Sequence, residues 1–391
     1  MRSILTSKPS SRSIGTTNTS KHPIQMKLKY QLLALCAFIM MGCGSPSNEE
    51  LDVAAMLPAK LDKANVISYK EYNNWGTNIL KGKDGKYHAI YSRWSRSRGH
   101  MAWVTHSEVA HAVSDRLTGP YVFKNLALPP RGRQYWDGDV THNPHVLEHD
   151  GKYYLYYMGN HGSGYWDTTA SDFHPEMAHK EWWVNRNNQR VGVAVADDLN
   201  GEWKRFDKPL VDIDSTQIMT STPTVSKRPD GKFLLAYKYV TKSPKDHKGA
   251  KVIHVTALGD TPLGPFKPTG KPFITHPTAK FAIDDHVEWF QDGHYYCIAK
   301  DSRGVMSEHG EGATLLFVSD KEGLNWKKAK QELVLAPGKL LWTDGTETLC
   351  DRTADMPKLY MENGIPKALI IATLPKDGDD SFVTVIPMDN H

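Results

Sequence analysis

The chain has 391 residues, of which 39% are hydrophobic and 24% are charged, and its formal net charge is +4. This composition is ordinary for a soluble globular protein, and the chain is long enough to bury a large core. The lysines and arginines form no clear basic block, so nothing points to nucleic acid as a partner. Eleven Trp and seventeen Tyr suit either a surface that stacks on sugar rings or an aromatic-rich β core.

The N-terminal segment is typical of a targeting signal. Residues 1–25 are polar, residues 26–29 form a positive stretch, and residues 32–41 form an apolar run. That run is too short for a transmembrane helix and has the length of a signal peptide. It ends in Met40-Met41-Gly42-Cys43, which resembles a bacterial lipoprotein box. We therefore predict a leader over 1–43, lipidation at Cys43, a tether over 44–60 and anchoring in the cell envelope.

Only two cysteines lie beyond this leader. Cys36 and Cys43 belong to the leader, which leaves Cys297 and Cys350 in the rest of the chain. The sequence therefore implies no disulfide framework, although a single bridge stays open.

A hairpin pattern recurs five times after residue 70. In each copy an Asp-Gly or Asn-Gly pair separates two strand-like runs, and this pair is a strong signal for a hairpin turn. The turn glycines are Gly85, Gly151, Gly231, Gly293 and Gly364. A second pattern, a strand followed by a turn that Gly and an aromatic residue close, recurs at 112–121, 195–203, 258–266 and, more loosely, 318–326.

These two patterns predict an all-β fold, a five-bladed β-propeller over residues 61–391. Each unit has three to four strands and no long helical period, and regular repetition of such units is typical of propellers. A β-sandwich would explain short strands but not a five-fold repeat. The fifth unit lacks its last element because the chain ends, so we expect residues 66–69 to supply a strand and close the ring.

In a propeller the first strand of each blade starts, and the second strand ends, at the same face. We call this face the funnel mouth. In the fourth unit Asp284 and Asp285 begin the first strand, and Lys300 and Asp301 end the second, so one end of this hairpin concentrates charge. Acids, His, Arg and Trp from the other units converge on the same face: Trp75, Arg93, Trp136, Asp137, Asp139, His142, Lys238, Arg352 and Asp355.

This set is typical of a carbohydrate site. Glycoside cleavage needs one carboxylic acid to protonate the leaving oxygen and a second carboxylate as nucleophile or base. The candidate catalytic residues are Asp285, Asp284, Asp137, Asp139 and Asp355. The candidate substrate-binding residues are His142, Arg93, Trp136, Trp75, Lys238, Lys300, Asp301 and Arg352.

Each candidate also has a structural interpretation. The Asp284–Asp285 pair could cap a strand or bind a cation, Asp137 and Asp139 could form Asx turns, and Asp355 could pair with Arg352. His142 could shuttle protons, since the pKa of histidine lies near neutrality, or be a buried hydrogen-bonded residue. Arg93, Lys238 and Lys300 could bind a carboxylate, sulfate or hydroxyl of a sugar, or they could balance the charge of the acids. Trp136 and Trp75 could stack on a sugar ring or pack in the core.

The repeated Asp-Gly-Lys-Tyr hairpins, the Gly-Pro-aromatic turns and the segment 136–144 resemble the five-bladed propeller glycoside hydrolases. This broad group contains families 43, 62 and 117, and the resemblance covers residues 70–375. It is similar in particular to a less characterised branch with Glu-Asp-Pro in blade four and Glu-Arg-Pro in blade five. Here those positions are Asp284-Asp285-His286 and Asp355-Met356-Pro357.

The resemblance has one important departure. It implies a catalytic base at the start of blade one and a further Asp in blade three, but this chain has Thr77-Asn78 and Ser221-Thr222 there. Either the acids have moved to blades two, four and five, or the activity is lost.

We therefore predict a secreted, lipid-anchored glycoside hydrolase that acts on a plant or algal polysaccharide or oligosaccharide. The alternatives are a propeller lipoprotein that binds glycan without cleaving it, and a polysaccharide lyase that uses His142. The predicted partners are a carbohydrate and, through Cys43, a membrane. No cofactor is required, and a structural calcium ion in the central channel is an open alternative that no ligand spacing signals.

Overall fold

The computed structural model describes residues 50–389 apart from 165–169, 171–172, 174–175 and 379. The predicted leader and Cys43 lie outside the described residues. Five antiparallel sheets are present, each led by one of the five predicted hairpins. The five-bladed β-propeller prediction is confirmed. Within the described part of the chain, no helix is long and apolar enough to cross a membrane.

The sheets follow one another along the chain, and in blades one to four the innermost strand comes first. Blade one contains β2 (Tyr72–Lys81), β3 (Tyr87–Ser95), β4 (Glu108–Ser114) and β5 (Val122–Leu128). Blade two contains β6 (Val140–His149), β7 (Lys152–Asn160), β8 (Arg190–Ala196) and β9 (Lys204–Arg205). Blade three contains β10 (Gln217–Lys227), β11 (Phe233–Thr241), β12 (Val252–Gly259) and β13 (Lys267–Pro272). Blade four contains β14 (Ile283–Gln291), β15 (His294–Asp301), β16 (Thr314–Ser319) and β17 (Lys327–Leu335).

Blade five combines both ends of the described chain. It contains β18 (Lys339–Leu341), β19 (Glu347–Glu362), β20 (Ile365–Pro375) and β21 (Phe382–Pro387), and its outer strand is β1 (Val66–Ile67). In β1, Val66 lies opposite Thr384 and Ile67 opposite Val383. The predicted closure of the ring by residues near 66 is therefore confirmed. The chain already contacts the propeller before β1, because Val53 is fully buried in the core between blades four and five.

The helical segments are short. The α-helices span Trp103–His106 and Lys180–Asn187, and the 3-10 helices span Ala54–Met56, Lys63–Asn65, Arg96–Arg98 and His100–Ala102. The segments from Arg96 to His106 follow β3, and the helix Lys180–Asn187 follows β7. Because β3 and β7 are second strands, these segments lie at the funnel mouth.

The core consists of five apolar clusters, one between each pair of neighbouring blades. Inner and middle strands therefore have both faces covered, which explains why their sequences are apolar without strict alternation. In β7, for example, Tyr153 packs towards blade one and Tyr156 towards blade three, and both are almost completely buried.

Every innermost strand has the same irregularity near its start. A register shift occurs in β2, β6, β10, β14 and β19. One residue in each bulge has φ between 47° and 56°, in the left-handed region: Gly76, Asn143, Thr222, Asp285 and Met356. Left-handed φ is easy for Gly and tolerable for Asn and Asp, but it strains Thr and Met. Such strain concentrates at functional sites.

These bulge residues lie close together around the axis. A Cβ atom placed on Gly76 would be 3.4 Å from Oδ1 of Asn143 and 3.8 Å from Cβ of Met356. The bulges of blades five, one and two are therefore in contact.

Candidate functional site

The residue before each bulge differs among the blades. Blades one to five present Trp75, His142, Ser221, Asp284 and Asp355 at this position. Carboxylates therefore come from blades four and five at this level. Blades one and three contribute none here, in agreement with the departure seen in the sequence.

A lysine joins the acids of these two blades. Nζ of Lys300 lies 3.2 Å from Oδ2 of Asp285 and 2.6 Å from Oδ2 of Asp355. Because both oxygens contact the same nitrogen, they are no more than about 6 Å apart, so the two carboxyl groups are near enough to be a candidate glycosidase pair. Arg352 adds a second cation, 3.1 Å from Asp355. We call these four residues the Lys300 cluster.

The hairpin of blade four builds this arrangement as its sequence predicts. Asp284 lies opposite Lys300, and Ile283 lies opposite Asp301, so the charged ends of β14 and β15 meet. The bulge at Asp285 then places two consecutive acids on the same side of the strand end. Asp285 pairs with Lys300, whereas Asp284 forms an ion pair with Lys238 of blade three.

The cations of the cluster remain charged. Burial acts to lower the pKa of Lys300, but the carboxylates of Asp285, Asp355 and Asp284 outweigh burial and raise it above the usual range. Burial also acts to lower the pKa of Arg352, and the same acids raise it. The site is thus a compact network in which each of the three carboxylates faces a permanent positive charge.

An aromatic wall borders this network on the side of blades one and two. The ring of Trp103 stacks on His142 at 5.0 Å, and His100 packs edge-on against Trp75 at 5.1 Å. Trp182 meets Trp103 edge-on at 6.2 Å. The wall adjoins the network, because His100 interacts electrostatically with Arg352, Asp355 and Lys300.

His142 is buried in this wall. Its side chain is bonded to the hydroxyl of Ser107 through Nδ1, at 2.7 Å, and the residue is 2% exposed. Burial, with smaller contributions from His100 and Lys238, lowers its pKa to about 3. The imidazole is therefore neutral and covered by Trp103. This geometry fits the structural interpretation of His142 and gives no support to a proton shuttle.

The predicted acids of blade two do not join the Lys300 cluster. Asp137 is completely buried, receives a hydrogen bond from Tyr157 at 2.7 Å and lies 2.7 Å from Arg131. Asp139 accepts from the backbone N–H of Gly162 at 2.7 Å and from Arg133 at 3.0 Å. Both carboxylates are occupied in holding loops of blade two, so the catalytic role predicted for them is not supported.

Trp136 is also used for packing. Its ring stacks on Tyr157 at 5.5 Å, and its Nε1 donates to the carbonyl of Phe206 at 3.2 Å. Trp75 is 5% exposed and belongs to the core between blades five and one. Trp75 is therefore covered, whereas Trp136 is half-buried and lines a small pocket with His161 and Asn188, away from the Lys300 cluster.

Two further predicted binding residues have structural partners. Arg93 lies 2.9 Å from Glu108, and its guanidinium packs between Tyr72 and Phe123. Asp301 is completely buried and accepts from the backbone N–H groups of a neighbouring loop, including those of Val305 and Met306 at 2.9 Å. Their role is to fix a blade edge and a loop rather than to contact substrate.

Sequence reasoning did not include Trp103, His100 or Phe281 among the candidates. Trp103 and His100 follow the second strand of blade one, in a stretch rich in Trp and His that could have signalled the wall. Phe281 precedes β14, and the ammonium of Lys238 lies 5.8 Å from its ring centre. An aromatic residue immediately before the two acids was the available signal.

No protein-family model and no curated protein matches the sequence. Several solved structures share the fold. "Zg3597, a family 117 glycoside hydrolase" from Zobellia galactanivorans aligns with a TM-score of 0.55 at 17% identity, over 84% of this chain and 89% of that chain. A thermostable family-43 glycoside hydrolase aligns with a TM-score of 0.53 at 13% identity, over 83% and 96%. An endo-arabinase from Bacteroides thetaiotaomicron VPI-5482 aligns with a TM-score of 0.52 at 11% identity, over 85% and 99%.

These comparisons agree with the architecture described above. The chain shares the five-bladed propeller of structures named as glycoside hydrolases, and the alignment extends over most of both chains. At identities of 11–17% the likeness concerns the fold. The chemistry has to be argued from the side chains of this chain.

Proposed function

We propose that the chain is a glycosidase that hydrolyses a glycosidic bond at the funnel mouth with carboxylates of blades four and five. The observation that carries this proposal is the pair Asp285 and Asp355, whose oxygens share Nζ of Lys300. Two carboxyl groups at this separation can act on one anomeric centre. Asp284 is the third candidate, and Lys300 and Arg352 are positioned to contact sugar hydroxyls once substrate displaces part of the ion-pair network.

The substrate class follows from the wall and the neighbours. The aromatic wall beside the cluster suits a pyranose or furanose ring, and the structural neighbours are named as glycoside hydrolases of families 117 and 43 and as arabinan-cleaving enzymes. We extend to this chain the expectation of a plant or algal polysaccharide or oligosaccharide. Lipidation at Cys43, which would place the propeller on the cell envelope, stays part of the same proposal.

A second function has a specific observation in its favour. Asp284, Asp285 and Asp355 each lie against a lysine, and such pairing stabilises the ionised carboxylate, whereas a general acid must carry a proton. A propeller that binds glycan without cleaving it would need no proton donor. The lyase alternative loses support because the base assigned to it, His142, is buried, covered by Trp103 and bonded to Ser107.

Reducing-sugar release from a panel of plant and algal oligosaccharides separates these functions. We expect release by the wild type, and a loss of at least ~100-fold for Asp285→Asn and for Asp355→Asn, the scale of an acid/base contribution. Asn tolerates left-handed φ, so Asp285→Asn should retain the bulge. Asp344→Asn is the matched control, since Asp344 is an exposed acid paired with Lys63.

The other outcomes are equally clear. Glycan binding without reducing-sugar release by the wild type would establish the binding function and reject hydrolysis. Absorbance from an unsaturated product would identify a lyase. Full activity in both Asp→Asn variants would exclude the Lys300 cluster as the catalytic site.

A further inference from the structure

A second ring of residues lies below the bulges, two positions further along each inner strand. Its members are Asn78, His145, Thr224, Val287 and Lys358. Three of them bond to the next blade. Asn78 Oδ1 accepts from the backbone N–H of Val146 at 2.5 Å, and His145 Nε2 lies 2.9 Å from the carbonyl of Val225. This ring therefore ties neighbouring blades together around the axis.

The third bond brings a carboxylate into this layer. The hydroxyl of Thr224 donates to Oε2 of Glu288 at 2.5 Å. Glu288 is 4% exposed, and its Oε1 has no hydrogen-bond partner among the described residues. Because Nε2 of His145 donates to a carbonyl, Nδ1 of that ring is an acceptor, and it too lacks a partner there. Two buried acceptors in this layer, Oε1 of Glu288 and Nδ1 of His145, thus lack a hydrogen-bond donor among the described residues.

Lys358 contributes a cation to the same layer. It is completely buried, and Nζ has no hydrogen-bond partner within the described part of the chain. Its ammonium interacts electrostatically with Glu288 and Asp285 of blade four and with His145 of blade two. Lys358 belongs to blade five but interacts with residues of blades two and four, so its ammonium lies close to the axis. Since it follows Asp355 by three residues on the same strand, it lies below the Lys300 cluster.

Burial disfavours the charged forms of Lys358 and Glu288, and the charges around them favour those forms. Burial lowers the pKa of Lys358 to about 8, while Glu288 and Asp285 act to raise it. Burial raises the pKa of Glu288 to about 7, while Thr224 and Lys358 act to lower it. His286 also faces the ammonium, and its pKa lies well below the usual value because it is buried. Lys358 and Glu288 therefore each favour the charged form of the other, without a direct hydrogen bond between them.

The same layer does not fit the calcium ion that the sequence left open. Calcium takes six to eight oxygen ligands, most of them carboxylates and carbonyls. No three His, Cys, Asp or Glu side chains of the described residues converge as ligands. A divalent cation beside Lys358 would also be repelled by the ammonium.

We propose that Lys358 supplies the positive charge of the central channel in place of a metal ion and is a positioning residue for the site above it. Its ammonium neutralises Glu288 and holds Asp285 from below. The effect on catalysis rests on the proposed glycosidase function, whereas the effects on stability and metal response do not.

Thermal unfolding of the full chain tests this without substrate. We expect the wild-type Tm to be unchanged by 5 mM CaCl₂ or EDTA. Lys358→Met should lower the Tm by about 5 °C or more, because it leaves Glu288 as an unpaired buried acid. The double variant Glu288→Gln/Lys358→Met should recover at least half of this loss. Lys358→Arg should retain more of the Tm than Lys358→Met, and Lys271→Met is the exposed control.

A saturable rise in wild-type Tm with calcium would overturn the proposal, as would a double variant no more stable than Lys358→Met. If the wild type hydrolyses a glycan, the pH profile of kcat gives an independent measurement. Lys358→Met should shift that profile and Lys358→Arg should restore it, whereas equal falls in kcat at all pH values would reduce Lys358 to a structural role. If the wild type has no activity, the proposed glycosidase function is rejected. The Tm values and the calcium response then still test the role of Lys358 in the channel.

Discussion

Removal of Lys300 is the most informative single change at the candidate site. Lys300→Met keeps most of the length of the side chain but leaves the carboxylates of Asp285 and Asp355 without the cation that they share, and only Asp355 keeps a second cation, Arg352. At about 6 Å and an effective dielectric constant of ~20, two unit negative charges repel by roughly 3 kcal/mol. We therefore expect the variant to lose about 3 kcal/mol or more of unfolding free energy at pH 7.5.

This loss should depend on pH in a defined direction. When one carboxylate of the variant takes up a proton, the repulsion disappears, so the folded variant binds that proton more tightly than the unfolded chain. Its missing stability should therefore return as the pH falls towards 5 and be lost again as the pH rises. The wild type, in which Lys300 is charged throughout this range, should not show this difference.

Urea denaturation at pH 7.5 and pH 5 measures the effect. The quantity compared is the difference in unfolding free energy between the wild type and Lys300→Met at each pH, with Lys271→Met as the exposed control. An equal loss at both pH values would mean that Lys300 acts through packing alone. No loss at pH 7.5 would mean that the two acids do not face each other, and the pairing described above would be wrong.

Two further predictions concern the frame around the site. Asp301→Asn should lower the unfolding free energy by about 1–3 kcal/mol, because the carboxylate accepts hydrogen bonds from the loop that contains Val305 and Met306. Denaturant titration measures this loss. An unchanged unfolding free energy would make Asp301 a candidate substrate ligand again. Ile67→Asp should lower the unfolding free energy by about 3 kcal/mol or more, because it places an unpaired charge in the buried strand that closes the ring. Lys70→Asp, at an exposed position, should leave the unfolding free energy nearly unchanged in the same assay. Equal losses in the two variants would contradict the closure.

The hairpin of blade four shows how far local sequence reaches. Asp292-Gly293 fixes the turn, and the turn brings the charged ends of the two strands to one end of the sheet. The bulge at Asp285 then shifts the pairing by one residue, so that Asp284 lies opposite Lys300. The same logic located the start of every blade. It could not distinguish Asp137 from Asp285, because both are acids near the funnel end of a blade and only their partners differ.

Those partners come both from neighbouring residues and from distant parts of the chain. Asp137 is neutralised by Arg131 and also lies near Arg205, and Arg93 is enclosed by rings from β2 and β5. Which arginine reaches which acid depends on how loops pack after the blades have formed. For that reason the predicted roles of the blade-two acids, Arg93 and Asp301 were not supported, while Asp284, Asp285, Asp355, Lys238, Lys300 and Arg352 came together.

The sequence by itself determined the number of blades, their order and the closing strand, and it placed candidate acids on blades two, four and five. These follow from strand-like apolar runs, Asp-Gly turns and repetition, all of which act over short stretches of chain. Only the tertiary structure decided that Lys300 joins Asp285 to Asp355 and that Lys358 lies on the axis beneath them. Those contacts join residues of different blades, and their distances arise from closing the ring, which no local pattern records.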